Sequence, residues 1–244
     1  LVSMPEIVAH GTVTRRTVEP LMVTMCSTKP HRVGTELKTR VQCPDGWKIV
    51  GADFDGQELQ IASIYADAWE GGFVGASPMT HTVLSGSKEK GTDAHSALAK
   101  AVDIDRDTAK GVGLPCLGTK ISTALRPSAV GSDFHTGRIN WTIQSSGAEM
   151  LAVLLTATHW LARKYKIPAQ FILSIHDETW FMVPEKYAQH FAVAFQMAHL
   201  YSWARFQQAC GMPDLPLSRA FFSGVAIDDR LRKSPNECTM TPSN

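Results

Sequence analysis

No short signature assigns this sequence at a glance. It has no CxxC pair, and its five cysteines, Cys26, Cys43, Cys116, Cys210 and Cys238, are scattered and odd in number. Neither a thiolate zinc site nor a disulfide framework is indicated, and a reducing compartment is the simpler expectation. No apolar run is long enough to cross a bilayer, so no membrane partner is expected. Neither sign of charge dominates: 24 Lys and Arg face 23 Asp and Glu, a net charge of +1. The whole-chain charge therefore argues neither for nor against nucleic acid, and local clusters must carry any such case. Internal repeats and low-complexity tracts are absent. The chain opens on Leu1 rather than Met and shows no signal or transit peptide, so it reads as an internal fragment. What it does have is apolar content, 44% of 244 residues. That suffices for the core of one large domain or two small ones, and disorder is not expected.

The most informative stretch is FILSIHDETW, residues 171–180. An apolar, β-branched run at 171–175 leads into His176, Asp177 and Glu178, and a second run at 179–183 stops at Pro184. Two runs around a two-residue tip predict a β-hairpin. Residues 47–52, WKIVGA, predict a buried strand that delivers Asp53 at its end. Residues 57–68 have helical spacing, with Leu59, Ile61, Ala62 and Ile64 apolar. Residues 70–92, rich in Gly, Ser and Thr, read as a loop. Thr92 and Asp93 can cap a helix over 94–102, and another start at Asp105 runs to Lys110. Gly111-Val112-Gly113 ends that helix almost at once, though one or two turns are not stable alone.

Residues 1–47 read as extended, with a short strand at 12–16 and a loose basic region of Arg15, Arg16, Lys29, His31 and Arg32 suited to phosphates. Residues 116–140 read as mixed loop and strand, and Trp141–Ile143 leads to a helix start at Gln144-Ser145-Ser146. Long helices are expected over 147–166 and 185–210, with Gly211 ending the second, and a last strand over 220–227. Strand, helix, excursion, helix, hairpin, helix, strand makes an α+β class: an antiparallel sheet with helices on one face.

Adjacent antiparallel strands would bring Asp53 and Asp177 within several ångströms. Carboxylates that close either share a proton or hold metal. Solvent access and oxygen-rich surroundings favour paired Mg²⁺, the arrangement of phosphoryl and nucleotidyl transfer. His95, Arg106 and Lys110, on one helix and the next, form a cationic trio suited to a polyphosphate.

These residues also carry a family resemblance. Val50-Gly51-Ala52-Asp53-Phe54-Asp55-Gly56-Gln57-Glu58-Leu59 resembles motif A of the family A DNA polymerases, and Ser174-Ile175-His176-Asp177-Glu178 resembles their motif C. Gly91-Thr92-Asp93-Ala94-His95-Ser96 and Arg106-Asp107-Thr108-Ala109-Lys110 resemble the fingers segment and the start of motif B. Residues 14–20, 33–38, 220–225 and the tail from Leu231 are similar to the mitochondrial replicative branch, so the resemblance covers nearly the whole chain.

It implies a polymerase palm, two Mg²⁺ ions (Mn²⁺ can substitute), primer–template DNA and a deoxynucleoside triphosphate, a processivity accessory subunit, and mitochondrial residence. It further implies that Asp53, Asp177 and the carbonyl of Phe54 hold metal. Glu58 would be the steric gate under the sugar, with Gln57 beside it. His95, Arg106 and Lys110 would grip the triphosphate, Lys110 also as proton donor to pyrophosphate. Arg16 and Gln144 would touch the minor groove, where acceptors are shared by every base pair. His176 would sit near the primer terminus, and Glu178 would be supporting.

One departure is large. The family's tyrosine-bearing helix continues past Lys110, whereas this chain jumps to Leu114-Pro115-Cys116-Leu117-Gly118, similar to the return from fingers to palm. The expected organisation is palm over 1–69, a fingers stub over 70–115, and palm again over 116–244. Little or no polymerase activity is expected of this chain alone. The competing readings are a non-catalytic nucleic-acid-binding remnant, which the missing tyrosines favour, and a metal-dependent nuclease, which explains neither the trio nor Glu58.

Overall fold

The computed structural model describes residues 16, 41–87, 89–106, 135–214 and 223–231. Strand β1 spans Trp47–Asp53. Helices α1 (Gln57–Glu70), α2 (Pro78–Ser85), α3 (Ala94–Val102) and α4 (His135–Lys164) follow. Strands β2 (Gln170–Ile175) and β3 (Glu178–Pro184) form the hairpin. A single 3₁₀ turn at Glu185–Tyr187 leads into α5 (Ala188–Ala209), and β4 is Val225–Asp228.

The chain divides into two compact units. The first holds residues 1–55, 148–203 and 220–244, and is built on a four-stranded sheet of order β2-β3-β1-β4. All pairings are antiparallel. β1 is paired on both sides, and Ile49–Ala52 are buried whichever way they point, which is why that run is continuously apolar. One face packs Ile49, Leu173, Ile175, Trp180 and Ala226 against Cys43 and Leu231. Backbone bonds hold that cover in place, Leu231 N–H to the Val41 carbonyl at 2.9 Å and Cys43 N–H to that of Asp229 at 3.0 Å.

The other face meets α5. Phe191, Phe195, His199 and Trp203 recur every four residues, so they form one stripe on that helix. Phe181 lies 5.0 Å from the Phe191 ring and 5.3 Å from Phe195, and Phe54 lies 4.5 Å from His199 and 5.7 Å from Trp203. Each fully buried phenyl contributes about 1.5–3 kcal/mol by transfer from water. The architecture is α+β, as expected.

The second unit, residues 56–147 and 204–219, is helical in its described part. The left-handed Gly56 (φ 58°) turns the chain into α1. Asp67, buried on α1, accepts from Gly75 N–H at 3.0 Å, Ser77 N–H at 2.8 Å and Thr80 Oγ1 at 2.6 Å. Three donors satisfy a carboxylate that burial would otherwise penalise. They also fix the start of α2 against α1.

Several expectations need correction. The loop expected over 70–92 contains helix α2, begun by Pro78 at a position where a proline's missing N–H costs nothing. The helix start expected at Gln144-Ser145-Ser146 comes earlier, because α4 begins at His135, inside the stretch expected to be mixed loop and strand. The helix expected from Glu185 opens as a 3₁₀ turn and becomes α-helical at Ala188. The strand expected over 220–227 is observed at Val225–Asp228; residues 220–222 lie outside the described residues. So do the strand over 12–15, most of the helix from Asp105 to Lys110, and residues 116–134. No described helix is long and apolar enough to cross a membrane.

Candidate active site

The hairpin closes in two residues. Ile175 pairs with Glu178, leaving His176 and Asp177 as the turn. His176 has φ 56°, the left-handed region that a bulky residue adopts at a cost. A positive φ at the first turn residue suits a two-residue hairpin whose strands twist to the right.

β1 runs antiparallel beside β3 and ends level with this turn, with Asp53 directly opposite Glu178. Paired residues share a face of the sheet, so the register sets Asp53 and Glu178 side by side. Asp177 is one residue further, in the turn, where strand alternation no longer sets a side chain's direction. Asp53, Asp177 and Glu178 are half-buried and His176 is exposed. The backbone thus brings three carboxylate-bearing residues and one histidine to one end of the first unit's sheet.

Two neighbours organise them. Trp180 donates from Nε1 to Glu178 Oε1 at 2.5 Å, so part of the Glu178 carboxylate is committed to the indole. Phe54, fully buried, anchors the residue after Asp53 against His199 and Trp203. Burial pushes the His199 pKa down to about 3, and its Nδ1 lies 3.0 Å from Ser223 Oγ. Among the described residues no three His, Cys, Asp or Glu side chains group closely enough to hold a metal unaided. The expected donor set is of another kind: two aspartates and the Phe54 carbonyl, hard oxygen donors that suit Mg²⁺ and leave positions for substrate oxygens.

A second constellation lies in the second unit. Arg106 donates to Asp93 through Nε (3.3 Å to Oδ1) and Nη2 (2.7 Å to Oδ2). Ser96 Oγ donates to the same Oδ1 at 2.5 Å. The Arg106 guanidinium first, then Ser96 and His95, hold the Asp93 carboxyl well below the usual carboxylate range against the opposing effect of burial. His95 and Arg106, two of the three expected phosphate ligands, therefore share one carboxylate as electrostatic neighbour. Lys110, the third, lies outside the described residues.

Gln57 is 3% exposed and reaches the Gly147 carbonyl at 3.5 Å. A Cβ on Gly147 would stand 2.7 Å from the Gln57 amide oxygen, so a larger residue there would make the Gln57 side chain shift. Glu58, Gln144 and Arg16 are half-buried. Reasoning from sequence overlooked Trp180, His199 and the Asp93–Arg106 pair. The alternation of the hairpin could have flagged Trp180, since it shares a face with Glu178. The other two depend on contacts between distant segments.

No family model matches the chain. Named relatives do match. The mitochondrial DNA polymerase gamma of Neurospora crassa is 32% identical, with 99% of this chain and 22% of that protein covered. DNA polymerase gamma of Saccharomyces cerevisiae is 31% identical over 99% of this chain and 25% of its own length. DNA polymerase subunit gamma-1 of Xenopus laevis is 29% identical over 99% and 30%. The chain therefore spans between about a fifth and a third of these proteins. The Xenopus alignment runs over 361 positions against 244 residues here, so that protein carries more than a hundred residues inside the aligned span that this chain lacks. Among solved structures, the POL domain of Pol1 from M. smegmatis, in complex with DNA primer-template and dNTP, superposes with a TM-score of 0.58 at 13% identity. It covers 93% of this chain and 47% of its own, a likeness of fold. Over nearly its whole length, the chain is related to a segment of the mitochondrial DNA polymerases gamma.

Proposed function

We propose that the chain carries the palm-type centre of template-directed DNA synthesis, which transfers a deoxynucleoside monophosphate to a primer 3′-hydroxyl. The observation that carries this is the register: Asp53 ends a strand directly opposite Glu178, next to the His176–Asp177 turn, in a chain related to DNA polymerase gamma. Asp53, Asp177 and the Phe54 carbonyl would hold two Mg²⁺ ions, with Mn²⁺ able to replace them. When bound, such a pair supplies positive charge to the attacking hydroxyl and to the leaving pyrophosphate oxygen.

The remaining roles belong to this chain's own side chains. Glu58 limits space beneath the sugar, and buried Gln57 steadies the first turn of α1 below it. His95, Arg106 and Lys110 take the triphosphate, with Asp93 orienting Arg106. Arg16 and Gln144 meet the minor groove of the primer–template, and His176 the primer end. Glu178, tied to Trp180, supports the site rather than ligating. The relatives' names support mitochondrial residence, and an accessory processivity subunit would bind mostly outside this chain.

Mn²⁺ titration followed by electron paramagnetic resonance tests the centre. Asp53→Asn and Asp177→Asn are expected to weaken binding at least tenfold, and Glu178→Gln much less. Unchanged binding in both aspartate variants removes the reading. A non-catalytic nucleic-acid-binding remnant is the second reading, favoured by the hundred-residue shortfall inside the aligned span.

A further inference from the structure

The end of the sheet away from the hairpin turn carries a second concentration of chemistry. Between Glu149 and Asp177 the chain has no acidic residue, yet it holds His159, Arg163, Lys164 and Lys166, all exposed. Three exposed aromatic rings are interleaved with them: Trp160 (58%), Tyr165 (60%) and Phe171 (42%). The Lys164 ammonium stands 4.7 Å from the Trp160 ring centroid and 5.7 Å from that of Tyr165.

The register brings a similar pair to the same end. Gln170 lies opposite Met182, so the chain leaves β3 beside the start of β2, and there Lys186 stands 4.8 Å from the Tyr187 ring. The acidic neighbour, Glu185, is within 3.4 Å of Lys48. Helix dipoles favour cations at a C-terminus, which accounts for Arg163 and Lys164, and single exposed aromatics are ordinary. Neither fact accounts for three exposed rings interleaved with cations along a segment without acidic residues, one of them, Phe171, steadied edge-on by Phe181 at 5.5 Å.

We propose that this end of the sheet, centred on Trp160, Lys164, Tyr165, Lys166 and Phe171, binds single-stranded nucleic acid. Unpaired bases offer faces that stack on flat side chains, while interleaved cations meet the phosphates. A duplex keeps its base faces stacked inside, and an acidic peptide would satisfy the cations but not the rings. β2 has six residues, so the surface lies roughly 20 Å from the His176–Asp177 turn at about 3.3 Å per residue. It rests on the proposed function only for nucleic acid as the partner, and it needs no metal.

The test is fluorescence anisotropy of a labelled oligothymidylate of about 12 nucleotides with the full 244-residue chain, in the presence of a chelator. Binding is expected, with Trp160→Ala and Lys164→Glu each weakening it roughly tenfold. Lys164→Glu should also lower the slope of log affinity against log salt by about 0.7. Tyr201→Ala, an equally exposed ring on α5, should bind as wild type. The proposal is overturned by no binding, by wild-type affinity in both patch variants, or by equal competition from duplex DNA or polyglutamate. The chelator separates it from the catalytic reading, which stands or falls on the Mn²⁺ titration.

Discussion

Trp180 reaches Glu178 because its indole occupies the space over Gly51, its partner across β1 and β3. A Cβ at Gly51 would stand 2.1 Å from Trp180 Cε3, closer than any real contact. Gly51→Ala should therefore destabilise the fold by about 1–3 kcal/mol, the usual cost of overpacking a core. The urea midpoint measures it. In a Trp180→Leu background the added cost should shrink. An undiminished cost would show that the indole is not what the methyl meets.

His176 holds a left-handed backbone at the hairpin turn. A β-branched residue tolerates that conformation least, so His176→Val should lose about 1–2 kcal/mol, and His176→Gly little or nothing. Thermal unfolding of the two variants separates them. Equal loss in both would assign the effect to the imidazole rather than to the turn.

His199 sets a pH dependence of stability. It is fully buried between Phe54 and Phe195, at 4.5 and 4.8 Å, and its pKa is pushed from 6.5 down to about 3. The folded chain keeps it neutral while the unfolded chain protonates it below about 6.5. Between those values the unfolded state binds more protons, so stability falls as pH falls. Each unit is worth about 1.36 kcal/mol, for a total on the order of a few kcal/mol near pH 4. Urea midpoints from pH 7 to 4 should decline, and less steeply in His199→Gln. An identical slope would place the acid sensitivity elsewhere.

Primer extension tests the chain's sufficiency. With Mg²⁺, primer–template and deoxynucleotides, the 244-residue chain should make little or no product. Robust synthesis would show that the residues it lacks relative to the Xenopus protein are dispensable.

The strands were readable because their signal is local. Residues 47–53 and 171–183 are β-branched runs around a polar turn, and no competing helical spacing disturbs them. The pairing of Asp53 with the turn was legible only as a topology, while the actual register placed Glu178 opposite. Helix α2 was hidden by the Gly, Ser and Thr around it, although Ser77-Pro78 is a start signal. Trp141, Thr142 and Ile143 prefer strands, yet Ile139, Ile143 and Met150 bury one face of α4, and tertiary packing overrides that weak preference. The Asp93–Arg106 pair was not legible, because both residues read equally well as a cap and a solvated cation.

β1 is bonded along its length to β3 and over Ile49–Ala52 to β4, whereas β2 has one described neighbour. Amide hydrogens exchange with solvent only when such ladders open, and a doubly bonded strand opens least. Deuterium should therefore enter β1 and β3 last and β2 earlier. Asp53 hangs from a strand held on both sides, while Asp177 sits in the turn that joins the singly bonded β2 to β3, so any adjustment of their spacing falls to the turn.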